Sequence, residues 1–141
     1  METREKPLIL IADDDEDIRQ LLVHILREDY DLLCVGDTID ALEAVKSRRP
    51  DLVLLDMTMP GGGGLEVLRA GPELRAVMLT GDDRADSIEQ AFALGARGYI
   101  SKPFAIDELK GVVEHALSAI LPRGVELRPW RLAESAPAAG A

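Results

Sequence analysis

Five short apolar runs punctuate the chain, at Leu8–Ala12, Leu32–Val35, Leu52–Leu55, Ala76–Leu79 and Gly98–Ile100. They have strand length and are continuous rather than alternating, which is the pattern of a sheet buried on both faces. Between them the apolar period lengthens to that of a helix. Ile18, Leu21, Leu22, Ile25 and Leu26 fall at i, i+3, i+4, i+7 and i+8 and predict one apolar stripe, with Asp15, Glu16 and Asp17 in the first turn, where the helix dipole favours acids. The last helix repeats the arrangement with Ile106, Leu109, Val113, Ala116, Leu117 and Ile120, behind Asp107 and Glu108. Three further helices are expected over Thr38–Ser47, Leu65–Ala70 and Arg84–Leu94. Strict β/α alternation with buried strands predicts an α/β fold, a (βα)5 doubly wound parallel sheet with right-handed crossovers.

Composition narrows this without changing it. The 141 residues, 47% hydrophobic and 30% charged, suit one globular core. The domain is expected to occupy residues 1–121. After Leu121 the character shifts to Pro122, Arg123, Gly124, then Pro129 and Trp130 and an Ala/Gly/Pro-rich end, so residues 122–141 read as a flexible tail. No apolar run approaches a membrane span, and Met1–Lys6 lacks the apolar stretch of a signal peptide, which favours the cytoplasm and no membrane contact. Cys34, the single cysteine, sits in an apolar run and reads as a small buried hydrophobe. His24 and His115 lie off the apolar stripes and read as surface residues. A net charge of −10 argues against nucleic acid, whose binding is carried by clustered Lys and Arg, and is compatible with a divalent cation.

In open α/β sheets, ligands gather outside the carboxyl ends of the strands. The first strand ends in Asp13-Asp14, the third in Asp56, the fourth in Thr80, and the fifth runs into Lys102-Pro103. With the flavodoxin-like order 2-1-3-4-5 these residues converge, and only the edge strand, ending near Gly36-Asp37, stays out. Three carboxylates without a cation would repel one another. Magnesium resolves the conflict, since it takes oxygen ligands and needs few carboxylates. Asp56 is then the natural nucleophile, with Lys102 and Thr80 placed to neutralise or hydrogen-bond phosphoryl oxygens.

Four segments together resemble the receiver domain of the two-component response regulators, the CheY-like superfamily: Ile9–Asp15, Asp51–Pro60, Val77–Gly81 and Gly95–Phe104. The resemblance covers nearly all of residues 7–121. It implies a phosphoacceptor at Asp56, magnesium coordinated by Asp13, Asp14, Asp56 and the Thr58 backbone carbonyl, a switch hydroxyl at Thr80, a rotating aromatic at Tyr99 and a phosphate-binding Lys102. It implies a cis peptide before Pro103 as well. The expected function is a switch in a two-component phosphorelay, accepting a phosphoryl group from a histidine kinase or phosphotransfer protein and changing protein contacts. Such a chain hydrolyses its own phosphoryl group and is not a turnover enzyme; a phosphorylation-dependent homodimer and an unidentified downstream protein are the expected partners. The alternative is a degenerate receiver that binds its partner without phosphorylation. Two departures from the family pattern stand out. Gly61–Gly64 replaces a loop that commonly carries an acid before its last glycine, predicting a mobile loop, and Gly71-Pro72 ends the third helix early.

Overall fold

The computed structural model describes residues 6–71, 74–81 and 85–118. Pro72, Arg84, Ile120, Trp130 and the tail expected over residues 122–141 fall outside these residues. Within them the predicted alternation is present: β1 (Leu8–Ala12), α1 (Glu16–Leu26), β2 (Asp31–Val35), α2 (Thr38–Arg48), β3 (Leu52–Asp56), α3 (Gly64–Ala70), β4 (Ala76–Thr80), α4 (Ala85–Ala93), β5 (Gly98–Ser101) and α5 (Ile106–Ser118). All four strand pairings are parallel and the order is β2-β1-β3-β4-β5.

β1, β3 and β4 are buried along their whole length. Their unbroken apolar runs conceal a period of two, because successive side chains enter opposite layers. Ile9, Ile11, Leu52, Leu54, Val77, Leu79 and Ile100 pack against Leu22, Ile25 and Leu26 of α1 and Leu109, Val113 and Ala116 of α5. The alternate residues, Leu10, Ala12, Val53, Leu55, Ala76 and Met78, pack against Ala41 and Ala44 of α2, Val67 and Leu68 of α3, and Ala91 of α4.

Three expectations of burial fail. Leu21 of the α1 stripe is 41% exposed and Ile106 of the α5 stripe is 52% exposed, so each helix covers the sheet along a stripe narrower than its run of apolar positions. Cys34 is exposed, not buried. It lies on β2, an edge strand paired only with β1, at the margin of the sheet where α1 covers it only in part. There Cys34 lines a cavity of about 390 Å³ with Arg19, Val23, His24 and Arg27 of the neighbouring helix.

Candidate functional site

The sheet register brings the strand ends level. Ala12 pairs with Leu55, so Asp13 and Asp56 are the next residues on adjacent strands. Asp56 pairs with Leu79, and Thr80 with Ser101, so Thr80 and Lys102 continue the same row. Residues more than forty positions apart in sequence are thereby aligned without any local signal between them.

Asp13 is buried and fixed on every side. Its N–H donates to the Val35 carbonyl of β2 (3.1 Å), its own carbonyl accepts from the Arg19 guanidinium (2.7 Å), and its Oδ1 accepts from the Asp15 N–H (2.9 Å). Oδ2 is left for the Lys102 ammonium, 2.7 Å away. The N-cap of α1 is Asp15, whose side chain accepts from the N–H groups of Asp17 and Ile18. Capping therefore accounts for Asp15 and leaves Asp13 and Asp14 to another task.

Asp56 closes β3 with only 4% of its surface exposed. Its Oδ1 accepts from the Thr58 N–H (3.2 Å) and lies 3.5 Å from Lys102 Nζ, whereas no described residue is a partner of Oδ2. Carboxylate oxygens of Asp13, Asp14 and Asp56 lie within 4.8 Å of one another. Burial, then the charges of Asp13 and Asp14, push the Asp56 carboxyl up from 3.8 to about 6, against the lowering effects of the Thr58 N–H and Lys102. Burial lowers the Lys102 value, yet the hydrogen bond and charge of Asp13, with those of Asp56, outweigh it and the value is raised. The lysine is thus held as a cation beside two buried carboxylates, and one positive charge does not balance three negative ones.

Lys102 is aimed by its backbone: its N–H donates to the Thr80 carbonyl (2.7 Å), and the following peptide, Lys102-Pro103, is cis as expected. Thr80 itself is buried at the end of β4. The structure therefore gathers Asp13, Asp14, Asp56, Thr58 and Lys102, with Thr80 tied to them through the Lys102 backbone. Tyr99 is not gathered in. It is 43% exposed and meets Phe92 of α4 edge-on, with ring centroids 6.4 Å apart.

As expected, the end of the edge strand stays out of the carboxylate cluster, Asp37 capping α2 instead, but this region supports the site from behind: the Val35 carbonyl holds the Asp13 N–H, and Thr38, the first residue of α2, supports the loop that follows Asp56. Thr38 Oγ1 accepts from the Gly63 N–H (2.9 Å) and the Thr38 N–H donates to the Pro60 carbonyl (3.0 Å). The glycine loop, expected to be mobile, is fastened there and again where the Gly64 N–H meets the Met57 carbonyl. Thr38 and Arg19 were missed by sequence reasoning. Both sit inside ordinary helix patterns, and neither carries a local signal of its long-range contact.

Among the described residues no helix is long and apolar enough to cross a membrane. The receiver-domain family of response regulators matches residues 9–114. Sporulation initiation phosphotransferase F of Bacillus subtilis is 38% identical over 114 residues, covering 77% of this chain and 92% of that protein. The DNA-binding response regulator MtrA of Mycolicibacterium paratuberculosis is 43% identical over 107 residues, 72% of this chain; the chain spans only 47% of MtrA's length. Among solved structures, a chemotaxis response regulator of Vibrio cholerae superposes with a TM-score of 0.74 at 27% identity, covering 79% of this chain and 99% of that one.

Proposed function

Because the chain belongs to the receiver-domain family of response regulators, we propose that it is a phosphorylation-dependent switch of a two-component phosphorelay, charged on Asp56 by a histidine kinase or phosphotransfer protein. The observation that carries this reading is the Asp13–Asp14–Asp56 cluster facing Lys102, in which Asp56 Oδ1 is occupied and Oδ2 has no partner among the described residues. Oδ2 is the oxygen left to attack phosphorus. The Oδ2–P bond forms as the N–P bond of a phosphohistidine breaks, and the electron pair returns to the imidazole. Water attack on phosphorus later breaks the Oδ2–P bond, releasing inorganic phosphate and regenerating the carboxylate, so the chain is a self-resetting switch, not a turnover enzyme.

The donor set fits magnesium: the oxygens are all hard ligands, and the excess negative charge that lifts Asp56 to about 6 asks for a cation. Asp13, Asp14, Asp56 and the Thr58 backbone carbonyl would hold it. Magnesium would supply neutralisation of the phosphoryl oxygens there. Lys102 neutralises a further oxygen, and Thr80 offers its hydroxyl to another. Engagement of Thr80 draws it inward and lets Tyr99 turn in from its place beside Phe92, a two-state repacking that alters contacts with a downstream protein or a second copy. The net charge of −10 argues against nucleic acid as a partner of this chain, and a cytoplasmic kinase-coupled setting follows from the same reading. The degenerate-receiver alternative gains no support from a cluster in which each expected side chain is present.

The test is incubation with acetyl phosphate and magnesium, read by intact-mass spectrometry. One phosphoryl adduct is expected on the wild type and none on Asp56→Asn. An adduct that persists in Asp56→Asn would overturn the assignment.

A further inference from the structure

Among the described residues the buried polar side chains are Asp13, Thr38, Asp56 and Thr80, and of these only Thr38 has no part in the chemistry proposed above. It is the first residue of α2, where a threonine has no need of burial; the helix is already capped by Asp37, whose side chain accepts from the Asp40 N–H. We infer that Thr38 is a positioning residue, a clasp on the β3–α3 loop that sets how the Thr58 carbonyl is presented to the metal site. The inference rests on the magnesium site proposed above.

Thr38 grips the loop at two points, through its N–H on the Pro60 carbonyl and its Oγ1 on the Gly63 N–H. The other fastenings come from the strands, the core and the loop itself: Met57 N–H to the Leu79 carbonyl, Thr58 N–H to Asp56 Oδ1, the buried Met59 side chain, Gly64 N–H to the Met57 carbonyl and Glu66 N–H to the Gly63 carbonyl. Across the middle of the loop, Pro60 to Gly63, Thr38 shares the restraint only with Glu66 among the described residues. That middle has little definition of its own. Gly61, Gly62 and Gly63 take φ values of +95°, +122° and +82°, which side chains disfavour, and glycine has the most backbone freedom to lose. Bareness is also what admits the clasp, since a Cβ on Gly61 would stand 3.1 Å from Thr38 Cβ. On Gly63 a Cβ would stand 2.4 Å from the Met57 carbonyl oxygen, so Gly63 lies against the peptide that leads into Thr58.

A backbone carbonyl has no rotamer with which to follow an ion, so its position is whatever the chain gives it. Magnesium demands near-octahedral geometry, which makes it sensitive to such placement. Groups that orient metal ligands from behind typically change affinity by about ten- to a hundredfold when removed. Coupling of this kind is reciprocal: if the clasp favours the metal, the metal tightens the clasp.

The experiment titrates magnesium chloride by calorimetry into the wild type, Thr38→Val, Thr38→Ser and Asp14→Ala, with exchange of the Gly63 amide followed by NMR with and without magnesium. Thr38→Val keeps the shape but removes the acceptor, and is expected to weaken magnesium by roughly tenfold, while Thr38→Ser restores most of the affinity. In the wild type, magnesium is expected to slow exchange at Gly63 more than at the core amides. A merely structural threonine predicts protection at Gly63 no greater than the general slowing that magnesium gives the core amides through mass action. Equal affinity in Thr38→Val and the wild type, or equal losses in Thr38→Val and Thr38→Ser, overturns the clasp. If Thr38→Val does not fold, Gly63 exchange slowed no more than that of the core amides on adding magnesium to the wild type overturns it instead. Asp14→Ala separates the two readings: if it binds magnesium like the wild type, the metal site fails; if it binds weakly while Thr38→Val binds normally, the clasp alone is wrong.

Discussion

Removing the Asp56 charge should stabilise the fold when no cation is present. Asp56 lies buried among like charges, and its carboxyl is pushed from 3.8 to about 6, chiefly by burial. At about 1.4 kcal/mol per tenfold change in proton affinity, keeping it ionised costs the folded state about 3 kcal/mol. The sign follows from proton counting. Between pH 4 and 6 the folded protein holds a proton on Asp56 that the unfolded chain has released, so this residue's contribution falls as the pH rises through that window and stays low above it. Asp56→Asn retains an acceptor for the Thr58 N–H and removes the charge. Urea unfolding in EDTA at intervals from pH 4 to 8 should show the variant gaining on the wild type up to about pH 6, then holding a lead of up to about 3 kcal/mol. Magnesium at neutral pH should narrow the gap by stabilising the wild type through mass action. A difference independent of pH, or a variant that loses ground as the pH rises, would refute the account of Asp56 as a strained anion awaiting a cation.

Gly64→Ala should destabilise the fold by about 2 kcal/mol or more, because the new Cβ would stand 2.5 Å from the Asp56 carbonyl oxygen and 2.9 Å from Met78 Cε; unchanged urea stability would show that the loop re-seats freely. Lys102→Met strips the counter-ion from the buried Asp13 carboxylate and should cost about 3 kcal/mol without magnesium, with part of that recovered when magnesium is added; equal stability in EDTA would mean the ion pair is idle. Thr80→Ala should still take the phosphoryl group on Asp56, yet a beryllofluoride mimic should no longer change its self-association or partner affinity. Light scattering that responds as in the wild type would remove Thr80 from the switch.

The sheet was legible because each strand is an unbroken apolar run, and the strand-end polar residues then followed from the order in which such strands pack. Asp13, Asp56 and Lys102 could be foreseen to meet for that reason. Leu21, Ile106 and Cys34 were misread because periodicity identifies apolar positions but not how completely a neighbouring layer covers them, and β2 has a neighbouring strand on one side only. Thr38 was illegible for a different reason. Its partners, Pro60 and Gly63, belong to a loop on the strand two places away, and nothing within α2 distinguishes a threonine that merely starts a helix from one that holds a distant loop. The glycines were read as slack, although their positive φ values let another element supply the restraint that their own side chains do not.

The two sides of the sheet are built from different materials. The layer beneath α1 and α5 is almost wholly branched aliphatics, with Ala116 the single alanine among its buried members in the described residues. Branched side chains interlock, so sliding one helix past the strands would force off-rotamer conformations throughout the layer. Opposite, the buried set includes Ala12, Ala41, Ala44, Ala76, Ala91 and Ala96 together with Met59 and Met78. Alanines present a smooth surface and methionines reshape at little cost. The molecule is therefore stiff on one side and compliant on the other, with the carboxylates on the seam between them. Any shape change begun at that seam meets less resistance toward α2, α3 and α4 than toward α1 and α5, which leaves the latter pair as the fixed frame against which displacement is expressed.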